Sequence, residues 1–138
     1  MTVYLDTSVV VSLFVRDVHS ERARDFLATG QDMVVSRWTM TEYTSALSRE
    51  CRAARISRLE QQAAELAFDI WIGLLGPPLS IEQDDFTQAR RICREDGTVR
   101  APDALHLCVA DRLGLVIASF DKVQIETARR RGIQVVDL

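Results

Sequence analysis

Apolar residues are distributed along the chain in two ways. Short apolar runs bounded by polar residues occur at Val3–Leu5, Met33–Val35, Leu79–Ile81, Leu115–Ala118 and Ile133–Val136. Each is too short for a helix and suits a buried strand. Between them lie longer segments with helix-compatible spacing: Thr7–Val15, Ser20–Ala28, Thr39–Ala54, Leu59–Leu75, Gln83–Glu95, Pro102 to about Leu113, and Lys122–Arg131. Met40, Tyr43, Ala46 and Leu47 fall along one face of the third. Punctuation agrees with these limits: Gly30, Gly76-Pro77-Pro78 and Asp96-Gly97 mark ends and turns, Pro102 suits a first helical position, and Ser57 with Glu60 has capping-box spacing. Strands alternating with helices predict a three-layer α/β/α sandwich with a mostly parallel sheet of about five strands. No repeat or linker interrupts the pattern, so residues 1–138 are expected to form a single domain.

Composition changes this picture little. Of the 138 residues 47% are hydrophobic and 27% charged, the balance of an ordinary soluble chain. No apolar run reaches membrane-spanning length and the N-terminus lacks a signal-peptide layout, so a cytoplasmic location is expected. Cys51, Cys93 and Cys108 share no CxxC spacing and read as small buried hydrophobes in a reducing compartment. The net charge of −3 argues weakly against a nucleic-acid partner, although 16 of the 17 basic residues are arginine, the better bidentate phosphate ligand.

The first apolar stretch, "VYLDTSVVVSLF", contains three polar residues, Asp6-Thr7-Ser8. They either end a strand and cap a helix, or place a carboxylate at the sheet's carboxyl edge, where ligands bind in parallel α/β folds. Three further acids occupy comparable places. Glu42 lies in the first turns of the helix after the second strand, Asp103 follows Pro102, and Asp121 stands between the fourth strand and the last helix. Taken singly, Asp6 and Asp121 suit N-caps, Thr39 and Glu42 suit a capping box, and Asp103 suits a helix dipole. Taken together they pose an electrostatic problem. Two charges about 5 Å apart repel by roughly 3 kcal/mol at an effective dielectric near 20. A hard divalent cation removes that cost. With no His or Cys cluster to suggest zinc, Mg²⁺ or Mn²⁺ fits. His106, three residues after Asp103, suits either a packed helix histidine or a pocket wall.

The motifs "LDTS" at Asp6, "TEY" at Glu42, "PDALHL" at Asp103 and "ASFDK" at Asp121 make the chain resemble a PIN domain, most closely the toxin half of VapBC toxin–antitoxin modules. That resemblance covers nearly the whole chain. It implies a metal-dependent endoribonuclease in which Asp6, Glu42, Asp103 and Asp121 hold one or two Mg²⁺ or Mn²⁺ ions for RNA hydrolysis. It further implies that Thr7, Ser8 and Ser119 are hydroxyls orienting carboxylates or water, and that the partners are RNA, a cognate antitoxin and a second copy of the chain. Ser119 departs from the family pattern, which often has threonine there. Two alternatives stand beside this. One is a non-catalytic PIN-like module that binds RNA or protein. The other is a phosphotransfer enzyme using Asp6 as nucleophile, against which Ser8 counts, since a haloacid-dehalogenase-type phosphatase has a second Asp at that position. Arg49, Arg52, Arg55 and Arg58, and separately Arg90, Arg91, Arg94 and Arg100, suit an RNA backbone or a solvated face. Leu66–Leu75, apolar around much of its circumference, suits core or a partner surface.

Overall fold

A computed structural model describes the chain over residues 1–138. Its central strand is β1 (Val3–Leu5), flanked in parallel by β2 (Met33–Val34) and β3 (Val116–Ala118), in the order β2-β1-β3. Val3 and Tyr4 pair with Met33 and Val34 on one side; Val3, Tyr4 and Leu5 pair with Val116, Ile117 and Ala118 on the other. Seven helices surround the sheet: α1 (Thr7–Phe14), α2 (Ser20–Ala28), α3 (Arg37–Arg52), α4 (Arg58–Leu75), α5 (Gln83–Glu95), α6 (Ala101–Arg112) and α7 (Lys122–Arg130).

The sheet has three strands where about five were expected. Both missing strands lie in their expected places as single parallel bridges, Ser36 with Leu79 and Ile117 with Val135. Each adds about one residue of pairing at an outer edge of the sheet. Leu79 donates to Val35 and accepts from Arg37, but Pro77 and Pro78 just before it have no amide hydrogen to extend the ladder. On the far side Ile117 donates to Gln134 and accepts from Val136, which completes the contact of that segment with the sheet.

Side chains alternate across the strands and so divide the core in two. Val3 and Leu5 of β1 and Ala118 of β3 face the layer built from α1, α2, α3 and α4, with Val9, Phe26, Tyr43 and Phe68. Tyr4 and Ile117 face the opposite layer of α5, α6 and α7, with Ile92, Leu107 and Ala128. This is the three-layer sandwich that the pattern predicts. No helix is long and apolar enough to cross a membrane.

Helix ends show which polar residues are spoken for. The Ser36 hydroxyl accepts from Thr39 N–H and the Thr39 hydroxyl accepts from Ser36 N–H, so α3 begins at Arg37, two residues before the expected start. The expected Thr39–Glu42 box therefore does not form, and Glu42 is left without a capping role. Ser57 and Glu60 form the box expected for α4. Asp6 and Asp121 do cap α1 and α7.

Candidate active site

Because β1 and β3 are parallel neighbours, both deliver the chain to the same edge of the sheet. Asp6 follows β1 at once, and Asp121 follows β3 after Ser119 and Phe120. Glu42 reaches this edge from the second turn of α3, and Asp103 from the first turn of α6. All four acids line one open cleft of about 270 Å³, together with Thr7, Ser8, Arg49, Arg100 and His106.

The acids are held unequally. Asp6 is 4% exposed and surrounded by donors. Its Oδ1 accepts from Ser8 N–H at 2.9 Å, Ser8 Oγ at 2.6 Å and Val9 N–H at 3.3 Å, and its Oδ2 faces Ser119 Oγ at 2.7 Å. The Ser119 hydroxyl also lies 2.8 Å from Gln124 Oε1, so its single proton serves one acceptor at a time. Glu42 accepts through Oε1 from Thr7 at 2.8 Å and pairs there with His106 Nε2. Asp103 Oδ2 accepts from Arg100 Nε at 3.2 Å, and Asp121 Oδ1 from Gln124 N–H at 2.9 Å. The second oxygens of Glu42, Asp103 and Asp121 bond to no protein group. Capping and cleft-lining are thus compatible in Asp6 and Asp121: one oxygen lobe serves the helix while the residue borders the cleft.

His106 is the residue whose place the sequence left open. It is almost fully buried. Nδ1 lies 2.6 Å from Tyr4 Oη, Nε2 pairs with Glu42, and Tyr4 Oη continues to Ser36 Oγ at 2.8 Å. With a proton on Nε2 the imidazole donates to the Glu42 carboxylate, while Nδ1 shares a hydrogen bond with the Tyr4 phenol. Burial pushes the Tyr4 phenol far above its ordinary range, which keeps it protonated for this bond. The only sequence signal was a lone histidine in the apolar run "ALHLCVA", one turn after Asp103. Gln124, which spans Ser119 and the Asp103 carbonyl, had no such signal.

Electrostatics divides the acids. Burial pushes the Asp6 carboxyl up, opposed by the charge of His106 and by bonds from Ser8 and Ser119. Burial raises Asp103 as well; Arg100 opposes this and Asp121 adds to it by like-charge repulsion. Glu42 also pays for burial, but bonding to His106 and Thr7 outweighs that and holds it below the usual range. No three His, Cys, Asp or Glu side chains stand in an arrangement that would grip a metal ion as they are. The donor set nevertheless fits a hard divalent cation in kind: it is all carboxylate, it borders one solvent-open cleft, and three of its acids keep an oxygen free of protein donors.

Comparison with known proteins places the chain in a family. A family model described as PIN domain matches residues 3–130. No curated protein sequence matches the chain. Among solved structures, FitAcB from Neisseria gonorrhoeae superposes with a TM-score of 0.73 at 19% identity, covering 98% of this chain and 96% of that one. VapC20 from Mycobacterium tuberculosis, described as a toxin cleaving the sarcin–ricin loop, superposes with a TM-score of 0.74 at 19% identity over 90% of this chain and 93% of that one. VapBC2 from Rickettsia felis, bound to a DNA fragment from its promoter, gives 0.71 at 14% identity over 100% and 99%. At these identities the likeness is one of fold.

Proposed function

Because the chain belongs to the PIN domain family, we propose that it is a divalent-metal-dependent endoribonuclease and the toxin of a toxin–antitoxin pair, acting in the cytoplasm. The observation that carries this is the convergence of Asp6, Glu42, Asp103 and Asp121 on one cleft at the carboxyl edge of the sheet. Those four would hold Mg²⁺ or Mn²⁺. When bound, the ion supplies an acidified water and offsets charge on the phosphodiester. The chain's own residues set the geometry. Ser8 and Ser119 fix the Asp6 carboxylate, Thr7 and His106 fix Glu42, and Tyr4 fixes His106 in turn. Arg49 and Arg100, on the cleft wall, offset the negative charge that an RNA phosphate would meet among four carboxylates.

The toxin assignment draws on the fold shared with FitAcB, VapC20 and VapBC2. A cognate antitoxin and a second copy of this chain are the proposed partners. Leu66, Ile70 and Leu74, exposed along α4, give the antitoxin an apolar strip to cover. Both oxygens of Asp6 already meet protein donors, which favours one other reading, a non-catalytic PIN module that binds RNA without cutting it.

Cleavage and melting together separate the two. Purified protein is expected to cut RNA in millimolar Mg²⁺ or Mn²⁺ and to stop in EDTA, and Asp6→Asn to lose cleavage while staying folded, since Asn caps a helix about as well as Asp. Mg²⁺ should raise the melting temperature of the wild type, and raise it less in Asp6→Asn, Glu42→Gln, Asp103→Asn and Asp121→Asn. Cleavage undiminished in excess EDTA, or flat melting temperatures across the whole set, would overturn the metal site.

A further inference from the structure

One cluster beside the acid cleft has no part in this reading. His19, at the entry to α2, stacks on Phe120 in the loop between β3 and α7, with ring centres 4.4 Å apart and planes 8° from parallel. Arg22, one turn later, sets its guanidinium carbon 5.0 Å from the Phe120 ring centre and its Nη2 2.7 Å from His19 Nδ1. Tyr43 and Phe68 are sealed in the core, whereas both rings of this pair keep solvent-facing surface. His19 borders the acid cleft and also a second cleft of about 310 Å³, into which Phe120, Arg22 and Lys122 face. The stacked pair thus stands where the two clefts meet.

Its position is tied to the acids. Phe120 lies between Ser119 and Asp121, and its N–H donates to Ser8 Oγ at 2.9 Å, the hydroxyl that itself donates to Asp6. The second cleft holds cations and acids, but they are not equivalent. Arg129 is already paired with Asp137 at 3.0 Å. Arg22 bonds a main-chain oxygen of Leu138, and Lys122 forms no ion pair. Two positive charges therefore stand next to a flat pair of rings with no Asp or Glu side chain paired to either.

We propose that the His19–Phe120 pair is a stacking platform for one nucleobase of single-stranded RNA, seated next to the nucleotide whose phosphate enters the acid cleft, with Arg22 and Lys122 taking the backbone phosphate beyond it. The proposal rests on the ribonuclease reading for what occupies the acid cleft. Every base has a π face, so such a platform holds any base in a sequence-tolerant way, and the guanidinium adds a cation–π contribution. It selects single strands because the faces of a base in a duplex are covered by its neighbours.

The test uses the full chain and a ten-nucleotide single-stranded RNA carrying 2-aminopurine at successive positions, titrated in EDTA so that nothing is cut. Fluorescence should be quenched at one or two adjacent positions, and an abasic nucleotide there should weaken binding about tenfold, the scale of one lost base stack. Phe120→Leu, which keeps apolar bulk, should abolish both effects. His19→Gln leaves the Phe120 packing in place and should abolish them too if Phe120→Leu does not fold. In Mg²⁺ or Mn²⁺ each variant should raise KM about tenfold with kcat nearly unchanged, the signature of lost substrate binding rather than lost chemistry. Quenching and the abasic penalty persisting in both variants would overturn the platform. Cleavage that depends on Asp6 but ignores both variants would do the same and leave the nuclease reading intact. Quenching in EDTA without any cleavage in metal would remove the nuclease reading and leave the platform, and failure of both binding and cleavage would remove both.

Discussion

The helices α4 and α6 are both rich in apolar residues, yet they have opposite fates. In α6 eight consecutive residues, Asp103 to Ala110, are buried, around the whole circumference of the helix. In α4 only Ala64, Phe68 and Ile72 are buried, while Leu66 is 63%, Ile70 61% and Leu74 81% exposed. The difference lies in what surrounds them. α6 is enclosed by α5, α7, α3 and β3, whereas α4 lies on the outside of its layer, chiefly against α3 and α1. Enclosure is what allows α6 to carry a site, because a helix packed on every side cannot rotate or slide, and Asp103 and His106 are held with it. An open apolar strip on α4 instead leaves room for another chain to bury it.

The largest effect is expected from breaking α6. Leu107→Ala, at a fully buried position, should cost about 3 kcal/mol and lower the melting temperature by about 10 °C, because the cavity cannot collapse between packed neighbours. A shift of only 1–2 °C in a thermal melt would show α6 to be looser than described. Tyr4→Phe should come next, at about 1–2 kcal/mol, because it leaves His106 Nδ1 buried without its partner. The same variant should depress RNA cleavage beyond any loss of folded protein, since His106 then no longer holds Glu42 in one place; cleavage per folded molecule equal to wild type would rule out a positioning role for this pair.

Smaller effects are expected on α4. Ser57→Ala removes one half of its capping box and should cost about 1 kcal/mol in urea or thermal unfolding, local to the start of the helix. Smallest for the isolated chain is Leu74→Ser, which should stay within about 0.5 kcal/mol of wild type because the side chain is already in water. The same change combined with Ile70→Ser should weaken co-purification with the cognate antitoxin. A melting temperature that falls by several degrees and varies with protein concentration would instead mean that a second copy of this chain covers the strip.

Local sequence determined the helices to within a residue or two. Period and punctuation placed all seven helices, because a helix is specified by neighbours three and four positions apart and by its caps, both of which are read along the chain. Alternating strands and helices likewise fixed the three layers, since parallel strands must be joined by crossovers over their faces. The nearness of the four acids to the sheet edge was legible for a related reason: Asp6 follows a strand, Asp121 caps a helix shortly after one, and Glu42 and Asp103 lie in the first two turns of helices, so the distance of each from the edge is set by local chain length. Pairing was not legible. Whether Leu79 and Val135 extend a ladder or touch it at one residue depends on where Ser36 and Ile117 lie in space. Partner choice was not legible either. Thr39 could have paired with Glu42 or with Ser36, and it joins Ser36 beneath the Tyr4 hydroxyl in the core. That arrangement leaves Glu42 to Thr7 and His106, residues 35 and 64 positions away along the chain. The same holds for His19 and Phe120. Contacts between distant residues are set by packing of whole layers, which no local window of sequence contains.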